Sequence, residues 1–332
     1  MLQRKKILVI RFSSIGDIVL TTPVVRALKN QGDYIVHYLT KKSNIPVLSA
    51  NPYIDKIYAI DQKVAEVMED LRKEKYDFIV DLHKNIRSYQ TKTGLRVPSA
   101  SFSKLNTEKW LLVNFGVNRL PDIHIVDRYF MAVKPLGIVN DGLGLDYFID
   151  ATEQVMPEEI PQDCRHGYIA LVIGGKHRTK IFPEDKVISV CKKLDYPVIL
   201  LGGKEDRAAG ERICSGAGSL VFNACGLYTI NRSAFLVKQS LAVLTNDTGL
   251  MHIAAAFRKP IASIWGNTVP AFGMYPYYPE NENPGSLIAE VKGLSCRPCS
   301  KIGYDRCPKK HFRCMQDINE EDIVNFLRRF IR

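Results

Sequence analysis

The sequence has no run of about 18 consecutive apolar residues, so no segment is long enough to cross a membrane as a helix. It lacks a GxGxxG run after the first predicted strand, where the turn holds only Gly16, and it lacks the GxxxxGK[ST] spacing of a P-loop. No helix-turn-helix, RNP or KH signature, internal repeat or low-complexity segment is present. These absences argue against a dinucleotide-dependent oxidoreductase, a P-loop site and the common nucleic-acid-binding modules.

Acidic residues are scarce in two stretches of a chain whose net charge is +11. Residues 82–104 hold five Lys or Arg and no acid, and residues 291–313 hold seven Lys or Arg and one acid, Asp305. Clustered positive charge favours a polyanionic partner or an anionic membrane surface. Nucleic acid is one such partner, but without a binding signature it is the weaker explanation.

A chain of 332 residues, 46% of them apolar, is long enough for two globular domains. Its basic N-terminus is followed by apolar residues 7–10 and so imitates a signal peptide. However, Arg11 and Asp17 interrupt the apolar stretch and no small-residue cleavage site follows. We therefore expect a first β-strand and a cytoplasmic protein. Four scattered cysteines are expected to be buried thiols in a reducing compartment, namely Cys164, Cys191, Cys214 and Cys225.

Strand-like and helix-like segments alternate along both halves of the chain, which predicts doubly wound parallel α/β sheets. The irregular, acid-rich and proline-containing residues 149–167 separate the halves and mark the domain boundary. We expect an N-terminal Rossmann-like domain over residues 1–155 and a C-terminal one over 156–332, the latter with an irregular cysteine-rich tail and a final amphipathic helix at 320–331. The predicted strands are 7–10, 34–39, 57–59, 78–81, 168–173, 198–202, 241–245 and 261–264. The predicted helices also include 18–29, 45–49, 63–72, 183–194, 204–215, 228–239 and 250–257.

Two polar turns follow predicted strands, at the edge where open α/β sheets bind ligands. After the apolar residues 241–244, a turn containing Asp247, Thr248 and Gly249 opens a helix, and the N–H groups of a helix start attract anions such as a diphosphate. A plain Asx turn is the alternative. After the first strand, the turn at 13–17 ends in Asp17, a candidate general base for which a helix N-cap is the alternative.

Together these segments resemble the glycosyltransferase family 9 heptosyltransferases of lipopolysaccharide core assembly. The resemblance is carried by residues 10–23 (IRFSSIGDIVLTTP) and 245–256 (TNDTGLMHIAAA). Weaker similarities lie between them at 81–87 (DLHKNIR), 180–183 (KIFP) and 201–206 (LGGKED). They keep the family's order over most of the chain. The resemblance implies a GT-B architecture, with two doubly wound Rossmann-like domains facing a cleft.

The resemblance also implies roles for individual residues. Asp17 would be the catalytic base, with Ser13, Ser14 and Gly16 shaping its loop and contacting the acceptor. Lys180, assisted by Arg178, would bind the donor diphosphate together with Thr248 and Gly249, although solvated surface charge is the alternative for these cations. Asp247 would contact the transferred sugar, and His252 would either do so or be structural. Independently of the resemblance, Lys84, Asn85 and Arg87 come just after the predicted strand 78–81 and suit an anionic acceptor, or simply begin a solvated helix.

Four further cysteines, Cys296, Cys299, Cys307 and Cys314, lie close together in the sequence and, with His311, offer enough ligands for zinc. The second pair is not a CxxC, so packed thiols or a redox-sensitive pair are the favoured interpretation, and no metal or cofactor is expected in the mechanism.

The predicted function is inverting transfer of a heptose from ADP-heptose to the lipid-A-linked core of lipopolysaccharide, by a cytoplasmic enzyme peripheral to the inner membrane. A GT-B transferase using another nucleotide sugar is the first alternative, because residues 226–231 (GLYTIN) lack the acid with which the family holds the ribose. A zinc-containing nucleic-acid-binding protein is a distant second.

Overall fold

The computed structural model describes residues 4–331, so the outermost residues of the two predicted domains, 1–3 and 332, lie outside it. Within this range the chain forms eleven strands. They are β1 (Lys6–Ile10), β2 (Ile35–Lys41), β3 (Lys56–Ile60), β4 (Phe78–Asp81), β5 (Ser99–Ser101), β6 (Ile169–Val172), β7 (Val198–Leu201), β8 (Val221–Asn223), β9 (Ala242–Asn246), β10 (Ile261–Trp265) and β11 (Ser286–Glu290).

The same range contains thirteen α-helices, joined by loops and short 3₁₀ turns. They are α1 (Ile15–Val19), α2 (Thr22–Gly32), α3 (Ile45–Leu48), α4 (Met68–Lys73), α5 (Ile86–Leu95), α6 (Asn106–Phe115), α7 (Ile125–Phe130), α8 (Glu184–Leu194), α9 (Arg207–Ala217), α10 (Ile230–Gln239), α11 (Gly249–Ala256), α12 (Arg313–Gln316) and α13 (Glu320–Arg328).

The first compact unit comprises the chain up to Lys104 together with Ile123–Phe148. Its parallel sheet has the strand order β3-β2-β1-β4-β5. Strand β1 pairs with β2 and β4, and four of its five residues are buried because helices cover both faces of a parallel sheet.

The second unit comprises Leu105–Asp122 and Ile149 onwards. Its parallel sheet has the order β11-β10-β9-β6-β7-β8. Every residue of β6, β7, β9 and β10 is buried, as expected for the central strands of such a sheet. The two parallel α/β sheets confirm the predicted fold class.

One difference from the sequence prediction lies beside the first polar turn. A single helix was expected over residues 18–29, but α1 ends at Val19 and α2 begins at Thr22. Pro23 lacks an N–H and is tolerated only in the first turn of a helix. The hydroxyls of Thr21 and Thr22 instead donate to the carbonyls of Ile18 and Val19, at 2.7 and 2.8 Å, and so complete α1.

The predicted boundary at residues 155 and 156 also lies at a different place from the division into compact units. Residues 149–155 belong to the second unit, and so does the segment Leu105–Asp122, which is inserted between two pieces of the first. Strands β5, β8 and β11 are additional to the predicted ones; the first two have three residues each and are too short to show a clear period.

Candidate active site

The chain order reverses once in each sheet. In the first unit this happens between β1 and β4, and in the second between β6 and β9. Ligands of open α/β sheets bind beyond the carboxyl ends of the strands at such switch points. The candidate site residues of each unit are therefore those in the loops that follow these strands.

Asp17 lies in the first turn of α1, directly after β1. Its Oδ2 accepts hydrogen bonds from the Ser14 N–H at 3.0 Å and the Ser14 hydroxyl at 2.8 Å, and its Oδ1 lies 2.7 Å from Arg11 Nη2. The carboxylate thus caps α1 from the third position of the helix. The alternative considered for Asp17 was a helix N-cap, but the N-cap residue itself is Ser14. Its side chain is still 19% exposed.

Arg11 is a site residue that the sequence analysis did not select. Its buried guanidinium donates to the carbonyl of Ser13 at 2.7 Å and to that of Leu82 at 2.5 Å, while its third nitrogen pairs with Asp17. Arg11 therefore joins the loop after β1 to the loop after β4 across the switch point. The signal was present in the sequence, because an arginine directly after a fully apolar strand needs a buried partner.

The environment of Asp17 keeps its carboxylate ionised. Burial opposes ionisation, but the Arg11 guanidinium and the two hydrogen bonds from Ser14 outweigh it, and the pKa of Asp17 stays below its usual 3.8. The pKa of His83 is also lowered, to about 4, by burial and by the Arg11 charge, and for an imidazole a low pKa favours the neutral form. At neutral pH the switch point therefore presents a carboxylate beside a neutral imidazole.

The predicted acceptor residues around Asp17 have structural partners of their own. Asn85 is the N-cap of α5, its Oδ1 accepting from the Ser88 N–H at 2.9 Å, and Arg87 Nε donates to the carbonyl of Gln62 at 2.8 Å. Lys84 is exposed, and its ammonium lies 3.4 Å from the carbonyl of Phe102. These contacts match the helix-start alternative and leave acceptor binding a prediction. In the preceding loop, Ser14 is exposed, Ser13 half-buried and Gly16 buried.

In the second unit, the loops after β6, β9 and β10 converge on Asp247. Its Oδ2 lies 2.5 Å from Lys180 Nζ and accepts a hydrogen bond from the Thr268 hydroxyl at 3.1 Å. Lys180 and Asp247 were predicted to bind different parts of the donor, and the structure pairs them. Thr268 is a further residue that the sequence analysis missed, since it comes from a tail predicted to be irregular.

Asn246, the last residue of β9, fixes these loops relative to one another. Its side-chain oxygen accepts from the Phe182 N–H at 3.0 Å, and its nitrogen lies 3.2–3.4 Å from the carbonyls of Val172, Ile173 and Gly174. A buried amide that serves both a donor and several acceptors holds the Lys180 loop against the end of β6.

Thr248 and Gly249 begin α11 as predicted. Thr248 is the N-cap, but within the described residues its hydroxyl makes no cap hydrogen bond, and it lies 3.4 Å from the Thr245 hydroxyl. His252 is only 2% exposed, so it offers a ligand little surface in this conformation. Arg178 is exposed in the 3₁₀ turn that carries Lys180.

The cysteines are all free thiols. Cys296, Cys299 and Cys307 are partly exposed and Cys314 is buried, and the sulfur of Cys296 lies 3.8 Å from His311 Nε2. Over residues 4–331 no group of three or more His, Cys, Asp or Glu side chains is arranged to hold a metal ion. Of the four scattered thiols, three are buried and Cys214 is partly exposed.

Solved structures of known proteins show the same fold. The structure resembles that of a glycosyl transferase family 9 protein from Veillonella parvula, with TM-score 0.78 and 21% identity over 99% of this chain and 98% of that one. It also resembles the Escherichia coli ADP-heptose lps heptosyltransferase II, with TM-score 0.73 and 19% identity over 98% of each chain. The fold is therefore that of a GT-B glycosyltransferase.

The sequence places the chain within that class. A family model described as glycosyltransferase family 9 (heptosyltransferase) matches residues 64–299. The lipopolysaccharide heptosyltransferase 1 of Campylobacter coli is 24% identical over 97% of this chain and 98% of its own. The protein belongs to glycosyltransferase family 9. It is therefore a glycosyltransferase, and neither the oxidoreductase nor the nucleic-acid module considered from the sequence.

Among the helices within residues 4–331, none combines the length and the apolar character that a membrane crossing requires.

Proposed function

We propose that this protein transfers a heptose from ADP-heptose to the core of lipopolysaccharide, with inversion at the anomeric carbon. Membership of family 9 supports heptose as the transferred sugar. The observation that carries the chemistry is the ionised, partly exposed Asp17 carboxylate at the β1/β4 switch point. A carboxylate in such a position is suited to accept a proton from a sugar hydroxyl.

In the proposed reaction the acceptor hydroxyl oxygen forms a bond to the anomeric carbon of the donor. The bond from that carbon to the diphosphate oxygen breaks, the hydroxyl proton passes to Asp17, and ADP leaves with the bonding electron pair. Attack opposite the leaving group inverts the anomeric configuration. Charge that develops on the diphosphate is stabilised by Lys180, with the assistance of Arg178, and by the Thr248–Gly249 start of α11.

The Lys180–Asp247 ion pair suggests how the donor is accommodated. In the structure the two side chains form an ion pair at 2.5 Å. A bound diphosphate would draw the ammonium away, and Asp247 would then be free to accept a hydrogen bond from a hydroxyl of the sugar, with Thr268 holding its other contact. This exchange of partners would allow Lys180 and Asp247 to take the separate roles predicted for them.

The acceptor side and the cellular location belong to the same proposal. We infer an anionic glycolipid acceptor, because Lys104 lies near Arg11, Asp17 and Lys84 in the first unit. Burial and the Arg11 charge lower the pKa of Lys104. A cytoplasmic enzyme that works on a lipid-linked acceptor would act at the inner surface of the inner membrane.

Calorimetric titration with ADP, UDP, GDP and NAD tests the donor. Selective binding of ADP, weakened by Lys180→Ala and by Thr248→Ala, is the expected result. Ser14→Ala, in the other unit, is the matched control and should bind ADP as the unaltered protein does. Preference for UDP or GDP would favour the alternative, a family 9 transferase with another donor; the missing acid at residues 226–231 motivates that alternative.

A further inference from the structure

One helix of the second unit has an unusual distribution of apolar residues. Helix α6 contains no buried residue, yet its sequence is NTEKWLLVNF. Trp110 is 48% exposed and Phe115 is 64% exposed, and their rings pack edge to face at 5.1 Å. Large apolar side chains gathered on the surface of a soluble domain usually mark a binding surface.

A second segment of the same unit, which also exposes apolar side chains, contacts the first residue of α6. Lys301 Nζ donates to the carbonyl of Asn106, the first residue of α6, at 3.2 Å. The loop that follows carries Ile302, 65% exposed, and Tyr304, also exposed. We call Trp110, Phe115, Ile302 and Tyr304 the α6 surface.

The charges beside the α6 surface are mostly positive. Residues 105–119 and 300–310 together hold six Lys or Arg and two acids, and Arg119, Arg306, Lys309 and Lys310 are exposed. Lys109, a residue of α6, holds its ammonium nitrogen 5.6 Å from the centroid of the Phe272 ring. Two aromatic residues with amphipathic rings, Trp110 and Tyr304, flanked by cations, have the composition of segments that lie in a membrane interface.

We propose that the α6 surface docks on an anionic lipid bilayer. The inference deepens the proposed function, in which the acceptor is a membrane glycolipid. The aromatic and aliphatic side chains would enter the boundary between headgroups and acyl chains, and the surrounding cations would contact lipid phosphates. A second copy of this chain is the competing occupant, but positive charge around the patch on both copies would oppose that association.

Vesicle sedimentation tests the proposal. The protein should bind vesicles of phosphatidylcholine mixed with phosphatidylglycerol more strongly than vesicles of phosphatidylcholine alone, and less strongly at high salt. The variant Trp110→Ser/Phe115→Ser should lose at least about tenfold in partition coefficient, because each side chain no longer transfers apolar area out of water. Because α6 buries no side chain, the variant should fold normally, which circular dichroism would check.

The matched control is Met131→Ser/Val139→Ser in the other unit, where the two side chains are 58% and 64% exposed. It should bind vesicles like the unaltered protein. Brominated lipids provide a direct probe, since the chain has two tryptophans and the other, Trp265, is fully buried. Quenching of the Trp110 emission by these lipids is expected.

Two outcomes would overturn the proposal. In one, the Trp110→Ser/Phe115→Ser variant binds vesicles as tightly as the unaltered protein. In the other, light scattering shows a dimer that this variant dissociates while vesicle binding is unaffected. An assay of heptose transfer to a deacylated, water-soluble acceptor tests the proposed function independently of vesicle binding. The Trp110→Ser/Phe115→Ser variant should retain this transfer activity. If the unaltered protein lacks the activity, the proposed reaction is refuted, whatever the result with vesicles.

Discussion

Replacing Asp17 with Asn removes the charge of the proposed base with little change of shape. Asn can still accept the hydrogen bonds of Ser14 through its oxygen, at the present 2.8 and 3.0 Å, but it cannot pair with Arg11. Arg11 keeps its bonds to the carbonyls of Ser13 and Leu82. The structural cost is therefore one charge-assisted interaction, about 1–3 kcal/mol of unfolding free energy.

The catalytic cost should be larger. Loss of a general base lowers the turnover number by about 10²–10⁴-fold. ADP binding should be unchanged, because Lys180, Asp247 and Thr248 all lie in the other unit. The assay is transfer of heptose from ADP-heptose to the core acceptor, with calorimetry of ADP in parallel. Ser14→Ala is the matched control: it removes one hydrogen bond from the same carboxylate and should cost about fivefold.

Asp17→Asn turnover within about tenfold of the unaltered enzyme would refute the assignment of the base. So would a loss of ADP affinity as large as the loss of turnover. The pH profile adds an independent check. Because the pKa of Asp17 is below its usual 3.8, its protonation should produce no acid limb above that pH.

Three further predictions concern stability. Asn246→Ala leaves the Phe182 N–H without its acceptor and should lower the free energy of unfolding by about 1–3 kcal/mol. Urea denaturation measures this change, with Thr245→Ala as the neighbouring control. Arg26 is buried and pairs with Asp141 at 2.7 Å and with Asp146, so Arg26→Met should cost about 3–5 kcal/mol, and a loss below about 1 would contradict the ion-pair role. The pKa of His83 falls from 6.5 to about 4 in the folded protein, so the stability of the neutral imidazole is complete above pH 6.5 and is lost as pH falls towards 4. The melting temperature should therefore drop more steeply across that range than in His83→Gln; equal slopes would exclude the effect.

Much of the fold could be predicted from the sequence because the central strands are continuous apolar runs. Strands β6, β7, β9 and β10 are buried on both faces, and each was expected to within two residues. The edge strand β11 was not expected, because only Ala289 of its five residues is buried and so short a segment shows no clear period.

The candidate site was predictable in its loops but not in its pairings. Polar residues directly after a strand indicate the ligand-binding edge of a sheet, and this pointed to the loops that carry Asp17, Lys180 and Asp247; their roles stay a prediction. Which side chains meet depends on strand order, and strand order is a long-range property. Neither the Arg11–Asp17 pair nor the Lys180–Asp247 pair could be read from sequence spacing alone.

The insertion of Leu105–Asp122 bears on how this enzyme can be recombined with its relatives. The chain leaves the first unit after Lys104, returns to it at Ile123, and leaves it again after Phe148. A chimera made by one crossover near residue 155 would pair the first unit of one parent, and with it that parent's α6, with the remaining second unit of the other. A chimera designed to exchange acceptor or donor preference should therefore take residues 105–122 and 149–331 from the same parent, because both segments belong to the second unit.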